Sequence, residues 1–244
     1  MMNNQTCTPR SILRSAIVIL TAGTLFLSCK KNSSADDQSI NDDDVAESVS
    51  QSVSANTGGM VVQAETTADV AIQNKLACGQ TKDTTFSGES APGSAITWSF
   101  THHANRSLVC SNGIPSVLNI SLDGKSSYAT PRMSSKDSSY AQSAISGLEP
   151  SSSNLLLNQQ YVRKGSQQSL IGKQKSFTST ITITGTNITI SKATRKILSG
   201  TATVQFTGKS STGLTITRSG TITFDGNQKA TLRMLNGGTY PLRW

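Results

Sequence analysis

Residues 177–190 read FTSTITITGTNITI, and the alternation in this stretch decides the fold class. Phe177, Ile181 and Ile183 occupy odd-numbered positions, and threonines occupy the even-numbered positions that alternate with them. A period of two residues places successive side chains on opposite faces of a β-strand. The same alternation returns further along the chain, at residues 202–206, 214–224, 230–234 and 240–244. The C-terminal third is therefore predicted to form strands with one apolar and one polar face.

Glycines separate these segments, and Asn236-Gly237 is a strong signal for a hairpin turn. Short strands joined by such turns are typical of an antiparallel meander. The apolar face must be covered, so the sheet either closes on itself or packs against strands around Trp98 and residues 155–157. We predict an all-β protein in which an antiparallel β-meander forms a curled sheet, barrel or sandwich, with at most short helices.

The middle of the chain carries the same period. Ile96, Trp98 and Phe100 alternate with polar residues, and residues 108–110 and 117–122 indicate two more strands. Their expected turns are Asn112-Gly113 and Asp123-Gly124. After them we expect one short helix over residues 138–145, capped by Asp137 and ended by Gly147.

The N-terminal segment has the order of a secretion signal. Arg10 and Arg14 accompany an apolar run at residues 12–27, and the small residue Ser28 stands before Cys29. The run is too short and too interrupted to cross about 30 Å of hydrocarbon comfortably. The segment resembles a bacterial lipoprotein signal, in the looser form of Bacteroidota-type lipoproteins. The resemblance implies that the thiol of Cys29 receives a diacylglycerol and begins the mature chain; an ordinary cleaved signal or an uncleaved anchor helix are the alternatives.

Residues 29–60 are rich in Ser, Asp, Asn and Gln, which predicts a disordered acidic tether between signal peptide 1–28 and a single β-rich domain at 61–244. The acidic clusters at residues 36–37 and 42–44 resemble export signals of Bacteroidota-type lipoproteins. The resemblance implies an outer-membrane location, on the periplasmic side or at the cell surface. Residues 61–76 are expected to form a short helix or an extended arm.

Four cysteines are present, and only two of them are free to pair in the mature chain. Cys7 leaves with the signal and Cys29 would be acylated, so Cys78 and Cys110 are predicted to form a disulfide in an oxidising compartment. A metal site is the alternative, but His102 and His103 supply too few further ligands. We expect no metal and no cofactor.

The net charge of +8 is unevenly distributed. Residues 151–244 contain twelve Lys and Arg but one acid, Asp225, whereas residues 32–89 contain ten acids and two lysines. A basic region attracts polyanions, so weak binding to anionic polysaccharide or lipopolysaccharide is expected, without sequence-specific nucleic-acid binding. The candidate contacts are Arg163, Lys164, Lys173, Lys175, Arg195 and Lys196.

No motif for nucleotide binding, metal-dependent hydrolysis or a serine nucleophile is present, and no catalytic residue is predicted. His102 and His103 follow an apparent strand and should point to opposite faces. The threonines of the C-terminal strands should form an exposed polar face. We expect a lipid-anchored envelope protein with a non-catalytic binding or structural role; a glycan- or polyanion-binding module and an unrecognised hydrolase are the alternatives. The sequence leaves any protein partner unknown.

Overall fold

A computed structural model describes residues 39–73, 76–172 and 174–244, all of which belong to one compact unit. The predicted signal peptide at 1–28, Cys29 and the first part of the tether lie outside the described residues. Within them, no helix is long and apolar enough to cross a bilayer.

Ten antiparallel strands form one sheet in which every strand pairs with its neighbours in sequence. The strands are β1 (Thr81–Glu89), β2 (Thr97–Ser111), β3 (Ile114–Ala129), β4 (Met133–Ser146), β5 (Asn154–Ser169), β6 (Ser176–Ser191), β7 (Ile197–Ser210), β8 (Thr215–Gly226), β9 (Lys229–Met234) and β10 (Thr239–Arg243). The predicted all-β meander is confirmed, and it takes the form of an open curled sheet with β1 and β10 at its edges.

Two helices cover the apolar inner face of the sheet: α1 (Asp42–Val53) and α2 (Met60–Ile72). The disordered tether expected through residue 60 is therefore wrong from Asn41 onward. Asn41 and Asp44 form a reciprocal capping box, and Val45, Val49 and Val53 recur every four residues on one stripe. All three valines are fully buried. Burial of this one apolar stripe offsets the conformational entropy that the otherwise polar segment loses on folding.

Two local predictions in the middle of the chain are also wrong. Asp137 does not cap a helix but lies buried inside strand β4. Asp123-Gly124 is not a turn but lies within β3, because Gly124 leaves room for the buried ring of His102 on the neighbouring strand. The predicted turn at Asn112-Gly113 is confirmed, and both residues adopt positive φ, as a tight hairpin requires.

We call the end of the sheet at which helix α1 begins the entry end, and the opposite end the far end. The entry end carries five turns, at residues 90–96, 130–132, 170–175, 211–214 and 235–238, and the far end carries the remaining four. Helix α1 begins at the entry end, where Asp42 contacts both Arg218 and Asn236. Helix α2 ends near the far end, where Asp69 pairs with Arg195 of the β6–β7 turn.

Candidate functional site

The outer face of the sheet is polar, and the strand register aligns its side chains in rows. One row runs across five strands through Ser127, Lys136, Ser166, Thr178 and Lys209. The adjacent row runs through Lys125, Ser138, Lys164, Thr180 and Thr207. Two rows of lysines and hydroxyl groups therefore lie side by side.

Lys125, Lys136, Lys164 and Lys209 define what we call the lysine groove. All four side chains are exposed. Neighbouring strands are about 5 Å apart and successive outward residues about 7 Å apart. Lys164 is therefore roughly 8 Å from Lys136 and roughly 12 Å from Lys209 by Cα position. Within the described part of the chain, none of the four forms an ion pair.

Two depressions follow these rows. The larger has a volume of about 910 Å³ and includes Lys136, Lys209 and Gln168 in its wall. The smaller, about 410 Å³, is bounded by Lys164, Lys209 and threonines. Glu89 is the carboxylate in the wall of the larger depression, three strands away from Lys136. The lysine groove thus combines ammonium, hydroxyl and amide groups and is open to solvent, and the larger depression is also lined by the aromatic side chains of Trp98, Tyr128 and Phe177.

The structure places the basic residues predicted from the sequence in different environments. Lys164 lies in the groove, whereas Lys173 lies outside the described residues. Lys175 is 3.6 Å from Asp44, Arg195 is 2.7 Å from Asp69, and Lys196 is 2.6 Å from Glu65. These three cations are neutralised by the two helices. Acids of the two helices therefore pair with three of the six basic residues that were predicted to contact a polyanion.

Arg163 is wrong as a surface contact, because its side chain is 2% exposed. Its Nη2 donates to Asp137 Oδ2 at 2.7 Å, and its Nη1 donates to the backbone oxygen of Gln51 near the end of α1. Burial alone would lower the pKa of Arg163, but the neighbouring Tyr161 and Asp137 raise it above the ordinary value. The guanidinium therefore stays charged and joins helix α1 to the sheet.

The residues around this ion pair form a polar cluster under the helices. Ser135 and Gln167 donate to Asp137, and the Arg163 guanidinium lies 5.2 Å from the centre of the Tyr128 ring. Burial raises the pKa of Tyr161 to about 12. The cluster organises the interior and offers no open site to a ligand.

The histidine pair separates as predicted. His102 faces inward and is fully buried, with its Nε2 3.4 Å from both Gln63 and Ser139. Its Nδ1 has no partner, so no carboxylate orients the ring as a catalytic triad requires. Burial lowers the pKa of His102 to about 4, and Arg163 acts in the same direction. The ring is held neutral.

His103 faces outward between two carboxylates, with Asp83 at 3.7 Å and Asp123 at 3.6 Å. Among residues 39–73, 76–172 and 174–244, no group of three or more His, Cys, Asp or Glu residues is arranged to hold a metal ion. Cys78 and Cys110 are at disulfide-bonding distance, with their Cα atoms 5.6 Å apart, and they join the segment before β1 to the end of β2.

The predicted threonine face is present on the outer surface. Thr184, Thr203 and Thr221 are consecutive neighbours in one row, and all three are exposed. The aromatic residues mostly belong to the interior: Tyr128 and Tyr161 are buried, and Trp98 stacks on Phe100 at 5.7 Å. Tyr140, which is 42% exposed, faces outward.

Three of the groove lysines were not selected from the sequence. Lys125, Lys136 and Lys209 are far apart in the chain, and each alternates with serines or threonines that suggest only a polar surface. The alternation around Lys209 identifies an outward residue. Only the pairing register shows that Lys136 and Lys209 share a row.

No protein-family model matches this chain, and no match to it was found among the curated proteins or the solved structures. The groove therefore has to be interpreted from its own chemistry.

Proposed function

We propose that this protein is a lipid-anchored component of the cell envelope that binds anionic polysaccharide or lipopolysaccharide without catalysing a reaction. The lysine groove is the observation that carries the proposal. Four exposed ammonium groups without carboxylate partners lie within two adjacent rows of one rigid sheet. Their positive potentials add over the groove and attract a polyanion.

The chemistry of the groove favours a ligand with repeated charges and hydroxyl groups. Ammonium groups spaced by roughly 8–12 Å match a polymer that carries anionic groups at intervals along its length better than a single phosphate. Serine, threonine and glutamine side chains between the lysines can donate to and accept from sugar hydroxyls.

A hydrolytic function has weaker support. The His102–Ser139 contact is enclosed between α2 and the sheet. Asp137, two residues before Ser139, is engaged by Arg163, and Asp123 contacts His103 on the outer face. A serine nucleophile needs both an accessible hydroxyl and an oriented base. We therefore place binding ahead of hydrolysis.

The test removes three groove charges and compares binding with that of a matched control. The variant K136Q/K164Q/K209Q is compared with K82Q/K229Q/R243Q, which loses the same charge from exposed positions outside the groove. Binding of residues 34–244 to dextran sulfate, to neutral dextran and to lipopolysaccharide is measured by calorimetry at low and physiological salt. We expect the groove variant to lose about tenfold or more in affinity for the anionic ligands.

The control variant should retain binding to within about twofold, because its charges lie outside the groove. An equal loss in both variants would mean that net charge alone attracts the polymer. Absence of binding to either anionic ligand at low salt would contradict the proposal. Dephosphorylated lipopolysaccharide, compared with the intact form, identifies phosphate as the recognised group.

A further inference from the structure

The turns at the two ends of the sheet differ in their exposed apolar side chains. Four of the five turns at the entry end present a large aliphatic residue to solvent: Ile96, Leu170 with Ile171, Leu214, and Leu235. Leu235 is the most exposed of these residues, at 81%. These five residues are called the aliphatic tips.

The far end offers a comparison within the same molecule. In the described residues, none of its four turns carries an exposed large hydrophobic side chain. Those turns consist mainly of Asn, Gly, Ser and Lys residues. The exposed large aliphatic residues near that end lie within strands next to the turns and not in the turns themselves: Val109 in β2, Ile114 in β3, Leu156 in β5 and Leu198 in β7. The aliphatic tips are thus a property of one end and not of hairpin turns in general.

The chain also enters the domain at the end that carries the tips. Asp42 pairs with Arg218 at 2.7 Å and accepts from Asn236 of the β9–β10 turn at 2.5 Å. Only eleven residues lie between Cys29 and Asn41, so this segment spans at most about 40 Å when fully extended. A lipid attached to Cys29 would hold the entry end close to the bilayer surface.

We propose that the entry end docks on the lipid bilayer, with the aliphatic tips inserted at the interface between headgroups and acyl chains. Separate turns that each insert one aliphatic side chain remove apolar surface from water without unfolding the sheet. The docked orientation exposes the outer face sideways, where the lysine groove reaches a polymer beside the membrane. The location at a membrane rests on the proposed function, but the tips and the groove consist of different residues.

The experiment uses residues 34–244, which contain every described residue and lack Cys29. Flotation with neutral phosphatidylcholine vesicles at millimolar lipid separates insertion of the tips from attraction of lysines to anionic headgroups. We expect the fragment to float with the vesicles. The variant L214E/L235E should lose about tenfold or more in partitioning, because two aliphatic side chains no longer enter the interface.

The matched control is I114E/L198E, which adds the same charge to exposed aliphatic residues near the far end and should float as the unmodified fragment does. L214S/L235S repeats the test without added charge, and circular dichroism checks that every variant unfolds cooperatively. Absence of flotation, or equal loss in both glutamate variants, would overturn the proposal.

A dimer of the fragment in sedimentation that L214E/L235E dissociates would overturn it too, because a second copy would then cover the tips. Loss of groove binding in the lysine variant leaves this result unchanged, so the two proposals fail separately.

Discussion

His102 and His103 are consecutive residues with opposite environments. Because successive side chains of a strand point to opposite faces, the His102 side chain lies between α2 and the sheet. The His103 side chain points to solvent beside Asp83 and Asp123. Burial keeps the His102 ring neutral, with its pKa lowered to about 4. Protonation of His102 is therefore coupled to unfolding.

The pH dependence of stability follows from that coupling. The unfolded chain binds a proton at His102 near pH 6.5, whereas the folded chain binds it only near pH 4, so the free energy of unfolding falls as the pH is lowered through this interval. Between pH 7 and pH 5 we expect this residue to account for a loss of about 2 kcal/mol. Denaturant unfolding of the fragment and of His102→Gln at both pH values measures it.

Other titrating groups contribute equally to both proteins, so the difference between them isolates His102. The same pH dependence in His102→Gln as in the unmodified fragment would show that this ring is not held neutral in the folded state.

At the scale of elements, helix α1 has the role that the sequence assigned to further strands. It fills the concave face with Val45, Val49 and Val53, and its Ser48 and Ser52 side chains donate to backbone oxygens one turn earlier. Small hydroxyl residues with satisfied hydrogen bonds can be buried at low cost. The helix is therefore part of the core despite its polar composition.

Substitutions in α1 distinguish a core helix from a tether. Val49→Asp places a charge in the fully buried stripe and should abolish cooperative thermal unfolding or lower the free energy of unfolding by at least about 4 kcal/mol. Ser50→Asp adds the same charge at the next, half-buried position and should cost at most about 1 kcal/mol. Calorimetry of both variants provides the measurement. Equal, negligible effects would mean that residues 42–53 do not pack on the sheet.

At the scale of the whole molecule, the acidic beginning and the basic end of the sequence attract each other within one chain. Acids of the two helices pair with bases of the sheet in five contacts: Asp42–Arg218, Asp44–Lys175, Glu47–Arg132, Glu65–Lys196 and Asp69–Arg195. Most of these pairs are partly exposed and contribute little stability one by one. Together these five pairs neutralise the bases that face the helices. The four lysines of the groove, which form no ion pair among the described residues, then dominate the charge of the outer face.

The proposed attachment of the protein to a membrane gives a further prediction. Cys29→Ser should move the full-length protein from the washed membrane fraction to the soluble fraction, because docking by the tips alone is reversible. Cys7→Ser removes a cysteine of the predicted signal segment and should leave the distribution unchanged. Immunoblotting of the two fractions provides the measurement. A Cys29→Ser protein that still requires detergent for extraction would place the anchor elsewhere.

The sequence by itself determined the elements with strict periods. Alternation at residues 177–190 identified strand residues and their inward side, and Asn112-Gly113 identified a turn, because both signals come from neighbouring backbone geometry. The pairing of Cys78 with Cys110 followed from counting cysteines. These features need no knowledge of distant residues.

Only the tertiary structure decided which residues meet across the sheet. Asp137 and Arg163 both lie in polar stretches, and their burial depends on the register that places them opposite Gly165 and Ser139 on adjacent strands. Register also joins Lys136 to Lys209, and helix α1 is stable because the curved sheet supplies the apolar surface that its valines contact. Local sequence sets the period of each element, whereas burial and charge pairing are sums over contacts between residues far apart in the chain.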